Sequence, residues 1–370
     1  MNILICTTDF YPNIGGVATH IVELGKAFVE LGHTVHVIAQ PNKSQQFSSE
    51  ESMHGMHIHR PNLNPHGLFY AIRMRKYLKQ FIAKHNMEIM HVHTIRSLKA
   101  SKGMAIPVVF TNHTSTFLKR ADKGGKLVSD LLNRMSHLDH VLAPSQELVD
   151  VTKQVGYKGS VKFISNGVDI ERFTPGASKY RNEWNCDDDT TVILLARRLT
   201  PKNGIICFAQ AMAHFETDKK YKVVIAGTGK IEKQFKEIIE QSNNIEHFIF
   251  MGDVPNEEMQ YIYRAADISM LPSLMEATSI TGLESMATAL PLIGSNIGGI
   301  PHLITHEKTG LLIEPSNPEK LREAINQLVE NPELRKNMGA NARKKVEKQF
   351  SWLTIAQETV NEFNDVLESK

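Results

Sequence analysis

The sequence has no apolar run approaching the roughly 20 residues needed to cross a bilayer. Its first residues, MNILICTTDF, carry no basic leader with a cleavage-like site behind it. Both absences point to a cytoplasmic chain. Cysteine is scarce: Cys6, Cys186 and Cys207 are far apart and odd in number, which reads as packed thiols and excludes a disulfide framework or a cysteine zinc site. No long run of one charge occurs, the isoelectric point is about 8.3, and no base-reading motif is present, so nucleic acid is excluded as a partner. "AGTGK" at 226–230 is only a fragment of a phosphate loop, which argues against an ATPase. "DFYPNIGG" after the first strand lacks the G-x-G-x-x-G turn, and the second strand closes on "VIAQ" with no acidic residue, which argues against a dinucleotide dehydrogenase.

What is present is a chain of 370 residues, 41% hydrophobic and 22% charged, too long for one ordinary α/β core. Residues 1–175 carry a net charge of +7 and the remainder −5, so the basic face belongs to the first half. Short apolar runs alternate with helical patterns. The runs 3–6, 34–39, 89–93, 107–111, 140–144 and 161–165 read as one series of strands. The runs 191–196, 222–227, 247–252, 267–272, 291–295 and 310–315 read as a second. "NGVDIERFTPGASKY" between them reads as a linker. Such alternation predicts α/β architecture, two Rossmann-like doubly wound domains in tandem over 1–170 and 171–351, with a helix over about 352–370 packing back on the first. Ligands of such sheets bind beyond the carboxyl ends of the strands, and two such edges can face one another across a central cleft.

"MEATSITGLESMA" places Glu276 and Glu284 eight positions apart around Thr, Ser and Gly. The segment follows a strand ending at Pro272 and enters a helical pattern, with Thr278 or Ser279 as N-cap. A helix N-terminus offers free N–H groups to a phosphate, while carboxylates repel one. The two glutamates therefore fit on either side of a diphosphate, each accepting hydrogen bonds from sugar hydroxyls. A nucleotide sugar has that layout. "ARRLTPKNG", after the first strand of the second domain, supplies Arg197, Arg198 and Lys202 to neutralise a departing diphosphate. Gly15 and Gly16 let a backbone turn approach a ligand closely.

With these residues in view, the sequence resembles glycosyltransferase family 4, retaining nucleotide-sugar transferases of the GT-B fold. The resemblance runs through "YPNIGGVATHIVELGKAFVELGH", "HVHT", "TNHTS", "ISNGVDIERFTP", "ARRLTPKNG" and "LPSLMEATSITGLESMATALPLIGSNIGGIPHLI", the glutamates forming the family's E-x7-E signature. It implies a hexosyltransferase moving a hexose or N-acetylhexosamine from a nucleoside-diphosphate sugar, UDP-sugar favoured, to a glycan, lipid-linked or small-molecule acceptor in cell-surface polysaccharide or glycoconjugate synthesis. It implies that Glu276 holds the donor hexose and Glu284 the ribose, that Arg197 and Lys202 clamp the diphosphate, and that His113 faces the reacting sugar. Gly15, Gly16, Arg198, Thr278, Ser279 and Ile280 then line the donor site. No metal and no cofactor is expected. In this segment "EATSITG" stands where many relatives have Gly-Phe-Gly after the first glutamate, so Ser279 is expected to shape the hexose pocket.

Two other acidic or imidazole patterns receive plainer readings. Asp187–Asp189 lie in a polar turn, and His91 and His93, as alternate residues of a strand, are expected to point to opposite faces and not to share an ion. The basic segments 67–86 and 117–135 read either as ordinary surface helices or as a face resting on anionic membrane lipid. A GT-B nucleotide-sugar 2-epimerase and an inactive glycan-binding partner of a transferase are the alternatives to the transferase. The first would release an epimer without an acceptor.

Overall fold

The computed structural model describes residues 1–11, 15–40, 50–63, 69–113, 115–242 and 244–370. Pro12, Asn13 and Ile14 of the first turn, Gly67 and Leu68 of the first basic segment, and Thr114 lie outside the described residues. The chain forms two compact units, unit 1 comprising Met1–Gly167 with Trp352–Lys370 and unit 2 comprising Val168–Ser351.

Unit 1 contains β1 (Asn2–Cys6), β2 (Thr34–Ile38), β3 (Glu50–Met53), β4 (Met56–His59), β5 (Ile89–Val92), β6 (Val108–Thr111), β7 (His140–Ala143) and β8 (Ser160–Phe163). They form one sheet in the order β3-β4-β2-β1-β5-β6-β7-β8, parallel except for β3. The period-2 side-chain alternation, with both faces covered, explains why β1 is apolar from Ile3 to Cys6. Ile3 and Ile5 join Ile21, Leu24 and Phe28 on one face, while Leu4 and Cys6 join Met90, Val92 and Phe110 on the other. The helix Trp352–Glu368 packs on the helix Gly16–Glu30, with the rings of Phe363 and Phe28 5.9 Å apart.

Unit 2 contains β9 (Thr191–Ala196), β10 (Tyr221–Ala226), β11 (Phe248–Gly252), β12 (Ile268–Leu271), β13 (Leu292–Ser295) and β14 (Gly310–Ile313) in the order β11-β10-β9-β12-β13-β14, all parallel. Strand β9 again feeds two cores, Val192 and Leu194 on one face and Ile193 and Leu195 on the other. Strand order reverses at β9, whose neighbours β10 and β12 are reached in opposite directions. That reversal leaves a crevice at the strand ends.

Three features differ from the sequence reading. The antiparallel hairpin β3–β4 turns on His54 and Gly55, both at positive φ, and its strands are short and half polar. The stretch 166–180 is not a loose linker, because Val168, Phe173 and Tyr180 are buried in the core of unit 2. The basic segment 117–135 is split between the helices Ser115–Lys123 and Gly125–Met135, because Gly124 and Gly125 both take positive φ. Among the described residues no helix is long and apolar enough to cross a membrane.

Candidate functional site

Strand β9 ends at Ala196, and the next residues, Arg197 to Asn203, run across the crevice where strand order reverses. β12 ends at Leu271 on the neighbouring strand and delivers Ser273 and Glu276 to the same place. The two loops are locked by backbone contact. Gly204 sits at φ +68, and a Cβ there would stand 1.7 Å from the carbonyl oxygen of Pro272, so no other residue allows this approach. Amide groups of Leu274 and Met275 donate to the carbonyl of Lys202 at 2.8 and 3.3 Å. From the far side Gly298, at φ +57, lies where a Cβ would meet the carbonyl oxygen of Glu276 at 2.0 Å, and the Gly299 amide donates to that oxygen at 3.1 Å. The "AGTGK" glycines have a similar task, since Gly227 packs on the carbonyl of Arg197.

Arg197 is the hub. Its guanidinium donates to Glu276 Oε2, to Asn203 Oδ1 at 2.9 Å, to Ser279 Oγ at 3.0 Å and to Thr281 Oγ1 at 3.4 Å. The pair is sheltered, with side chains 9% and 16% exposed for Arg197 and Glu276. Ser273 Oγ donates to the same carboxylate at 3.2 Å, and Asn203 Nδ2 donates to the Arg198 carbonyl at 2.7 Å. Ser279 caps the helix Ile280–Ala287 by accepting from the Gly282 amide at 3.2 Å. The cap leaves the amides of Ile280 and Thr281 without intrahelical partners, at the positive end of the helix dipole. Glu284, one turn further, accepts from the Tyr263 hydroxyl at 2.9 Å. Burial pushes its carboxyl up to about 7, against the opposing pull of the Tyr263 hydrogen bond and the charge of Arg172.

These groups surround one cavity of about 390 Å³, lined by Arg197, Arg198, Lys202, Glu276, Ile280 and Glu284 together with Asn203, Thr281, Gly227, Asp253 and Asn256. Arg198 and Lys202 are exposed, whereas Thr278 and Ser279 are buried behind the wall. Cations, amide donors and two carboxylates on one concave surface can hold a polyanion between hydroxyl-bearing groups. Asn203, Ser273, Thr281 and Tyr263 escape sequence reasoning. Asn203 stands inside the quoted "PKNG", but nothing in the local pattern of Ser273 or Tyr263 marks it.

Gly15, Gly16 and His113 belong to unit 1. Gly15 is the extended N-cap of the helix Gly16–Glu30, and neither glycine has a heavy atom within 4 Å of where a Cβ would stand. His113 lies beside His93 and His20. His91 and His93 do not diverge: β5 ends at Val92, so strand alternation stops before His93, and the two rings meet with centroids 4.0 Å apart. Asp187 is committed to its turn, its carboxyl drawn down to about 2 by hydrogen bonds from Lys220 and Thr190.

Two family models match, "Glycosyltransferase Family 4" over residues 14–172 and "Glycosyl transferases group 1" over 177–345. The chain is a glycosyltransferase of the family-4 type. An uncharacterized glycosyltransferase of Methanocaldococcus jannaschii is 27% identical over 100% of this chain and 99% of that one. N-acetyl-alpha-D-glucosaminyl L-malate synthase of Bacillus anthracis is 24% identical over 96% of each. Among solved structures, sucrose-phosphate synthase of Thermosynechococcus elongatus superposes with a TM-score of 0.82 at 19% identity, covering 100% of both chains. Anabaena HepE in complex with UDP gives 0.80 at 17% identity, covering 99% of this chain and 100% of that one. The fold of this family-4 glycosyltransferase is GT-B, and the enzyme is a hexosyltransferase.

Proposed function

We propose that unit 2 binds a nucleoside-diphosphate sugar, UDP-sugar in first place, and that the enzyme transfers its hexose to an acceptor hydroxyl with retention at the anomeric carbon. The observation that carries this reading is a cavity at the strand-order reversal whose lining brings Lys202, Arg197 and the first residues of the capped helix, Ile280 and Thr281, together with both Glu276 and Glu284. Glu284 takes the ribose hydroxyls and Glu276 the hexose hydroxyls. Lys202 and the amides of Ile280 and Thr281 take the diphosphate. Anabaena HepE, which shares the fold, is described with UDP and with UDP-glucose.

Glu276 is already ion-paired to Arg197 and accepts from Ser273, so it is a poor free nucleophile. This supports attack by the acceptor from the face the diphosphate leaves, with the departing phosphate oxygen receiving the acceptor's proton. The C1–O bond to phosphate breaks as the C1–O bond to the acceptor forms. The positive charge that stabilises the leaving group comes from Lys202 and the helix end, Arg197 being paired with Glu276, and the transfer is proposed to need no metal.

The acceptor is proposed to be a hydroxyl of a glycan, a lipid-linked sugar or a small molecule. Phe69 and Ile72 are 57% and 65% exposed beside Arg73, Lys76 and Lys79 on the helix Tyr70–His85, which favours an acceptor presented at an anionic membrane surface.

The test is a panel of UDP-, GDP- and ADP-sugars read by thermal shift, followed by calorimetry on Glu276→Gln. One donor class should stabilise the enzyme by its occupancy. Glu276→Gln should weaken the sugar donor about ten- to hundredfold, the worth of a charge-assisted hydrogen bond, and leave the bare diphosphate within about threefold. Titrations run well below the melting temperature, because the substitution leaves Arg197 without its counter-charge. Equal losses for diphosphate and sugar donor would refute the division of the cavity.

A further inference from the structure

Unit 1 gathers a second constellation around His113, the histidine that the family resemblance sets facing the reacting sugar. His20 lies on the helix after β1, His93 one residue past β5 and His113 two residues past β6. β1 and β5 are the neighbours at which the order of this sheet reverses, so three chain segments deliver imidazoles to one corner. A nitrogen of each ring lies within 4.8 Å of one from each of the other two. His93 Nδ1 is 2.9 Å from His113 Nε2, and His20 Nε2 is buried with no hydrogen-bond partner.

We propose that His20, His93 and His113 form a binding site for a first-row transition-metal dication, with zinc as the reference ion. Each of two ligands is oriented from behind. The side-chain oxygen of Asn166 lies 3.0 Å from His20 Nδ1 and can only accept, so Nδ1 carries the proton and Nε2 presents a bare lone pair. His93 Nε2 is held by His91 Nδ1 at 3.2 Å, and His91 Nε2 by Thr111 Oγ1 at 2.6 Å. Such outer partners fix tautomer and ring direction in metal sites.

Chemistry and geometry agree with the assignment. Three imidazoles without a carboxylate select zinc, cobalt, nickel or copper over magnesium and calcium. Bonds of about 2.0–2.1 Å set tetrahedral neighbours roughly 3.3 Å apart, so the His93–His113 pair, at 2.9 Å, opens by a few tenths of an ångström, and the wider separations, within 4.8 Å, close by up to about 1.5 Å through ring rotation as the ion enters. His113, the least buried of the three, marks the way in, and the fourth position remains for water. No step of the proposed transfer runs through this ion. The binding experiment therefore stands or falls apart from that reading.

The chelator-treated full chain is titrated with Co²⁺ by visible absorption, then with Zn²⁺ in competition, with Mg²⁺ as reference. One Co²⁺ per chain with the intense bands of a four-coordinate site is expected, displaced by Zn²⁺ and untouched by Mg²⁺. His113→Ala should weaken binding at least a hundredfold. His57→Ala, an exposed member of the separate stack His36–His57–His59, should change nothing. X-ray absorption of the zinc-loaded wild-type chain needs no variant and should report three imidazole scatterers. Absence of saturable Co²⁺ binding, a first shell of oxygens alone, or binding that survives His113→Ala and falls in His57→Ala overturns the assignment.

Discussion

Glu284 is the residue at which stability and binding should pull in opposite directions. Its carboxyl is raised from an ordinary 4.5 to about 7 because burial outweighs the Tyr263 hydrogen bond. The unfolded chain releases this proton near 4.5 and the folded chain only near 7. As pH rises through that window the folded state binds the extra proton, so stability falls, and the full cost is present above pH 7. Two and a half units correspond to about 3 kcal/mol at pH 8, and the same linkage leaves less than about 1 kcal/mol at pH 5. Because Glu284 keeps part of its surface toward the cavity, about 3 kcal/mol is a ceiling.

Glu284→Gln keeps an oxygen for Tyr263 and removes the ionisation. It should therefore raise the melting temperature of unit 2 at pH 8, by as much as roughly 6–10 °C for a domain of this size, and by far less at pH 5. The same change should weaken a nucleoside diphosphate about ten- to hundredfold, because the carboxylate no longer accepts from the ribose. Calorimetric melts at both pH values, with and without UDP, read both effects on one sample. A variant that melts no higher than wild type at pH 8, or gains equally at both pH values, would refute the claim that this carboxylate is held at a desolvation cost. Retained UDP affinity would refute its place on the ribose.

Lys202→Ala should cut turnover about a hundredfold, roughly 3 kcal/mol of lost charge stabilisation, with melting unchanged because the side chain is exposed; steady-state kinetics reads this. Gly298→Ala should lower stability by at least about 1–2 kcal/mol, the cost of the left-handed conformation, and sugar transfer should fall further because Glu276 must move; urea unfolding and turnover separate the two. Unit 1 should lose stability in acid: burial lowers His20 and His36 to about 4, so protons bind the unfolded chain first as pH falls below about 6.5, costing about 2 kcal/mol for each group at pH 5. Since unit 2 holds only four of the 17 histidines, a calorimetric scan from pH 8 to 5 should move the two transitions in different directions.

The strands that carry both cores were legible because parallel strands buried on two faces are continuous apolar runs, as 192–196 in "TVILLA" and 3–6 in "NILIC" are. The β3–β4 hairpin was not, since "EESM" and "MHIH" are short and half polar, and the turn rests on His54 at positive φ. The burial of Val168 and Phe173 was hidden by the Pro, Gly and charged residues around them. At the cavity, Glu276, Glu284, Arg197 and Lys202 could be picked out as charges at loop positions after strands. What could not be read is pairing across long sequence separation. The Tyr263 hydroxyl on Glu284 and the Arg197 bond to Glu276 depend on which strands are neighbours. Strand alternation also misled where the strand was one residue shorter than its apolar pattern, at His93.

Of the three cations lining the cavity, Arg197 and Lys202 are not equivalent, and the structure explains why one is arginine and the other lysine. Arg197 meets Glu276, Asn203, Ser279 and Thr281 with two terminal nitrogens in one plane. An ammonium is a point charge with three donors and cannot reproduce that fork. Removing either partner of so sheltered an ion pair strands the other, at a cost of about 3–5 kcal/mol for buried cases. Arg197 therefore holds the Glu276 loop to the end of β9, and its charge is largely spent on that carboxylate. Lys202 sits on a one-turn helix whose backbone is fixed by Leu274, Met275 and Gly204, while its side chain is exposed at the cavity rim. A fixed base under a free four-carbon stem suits a charge that must follow a phosphate from bound donor to departing product. Glu276 thus depends on Arg197 for its position, and the diphosphate on Lys202 for its neutralisation.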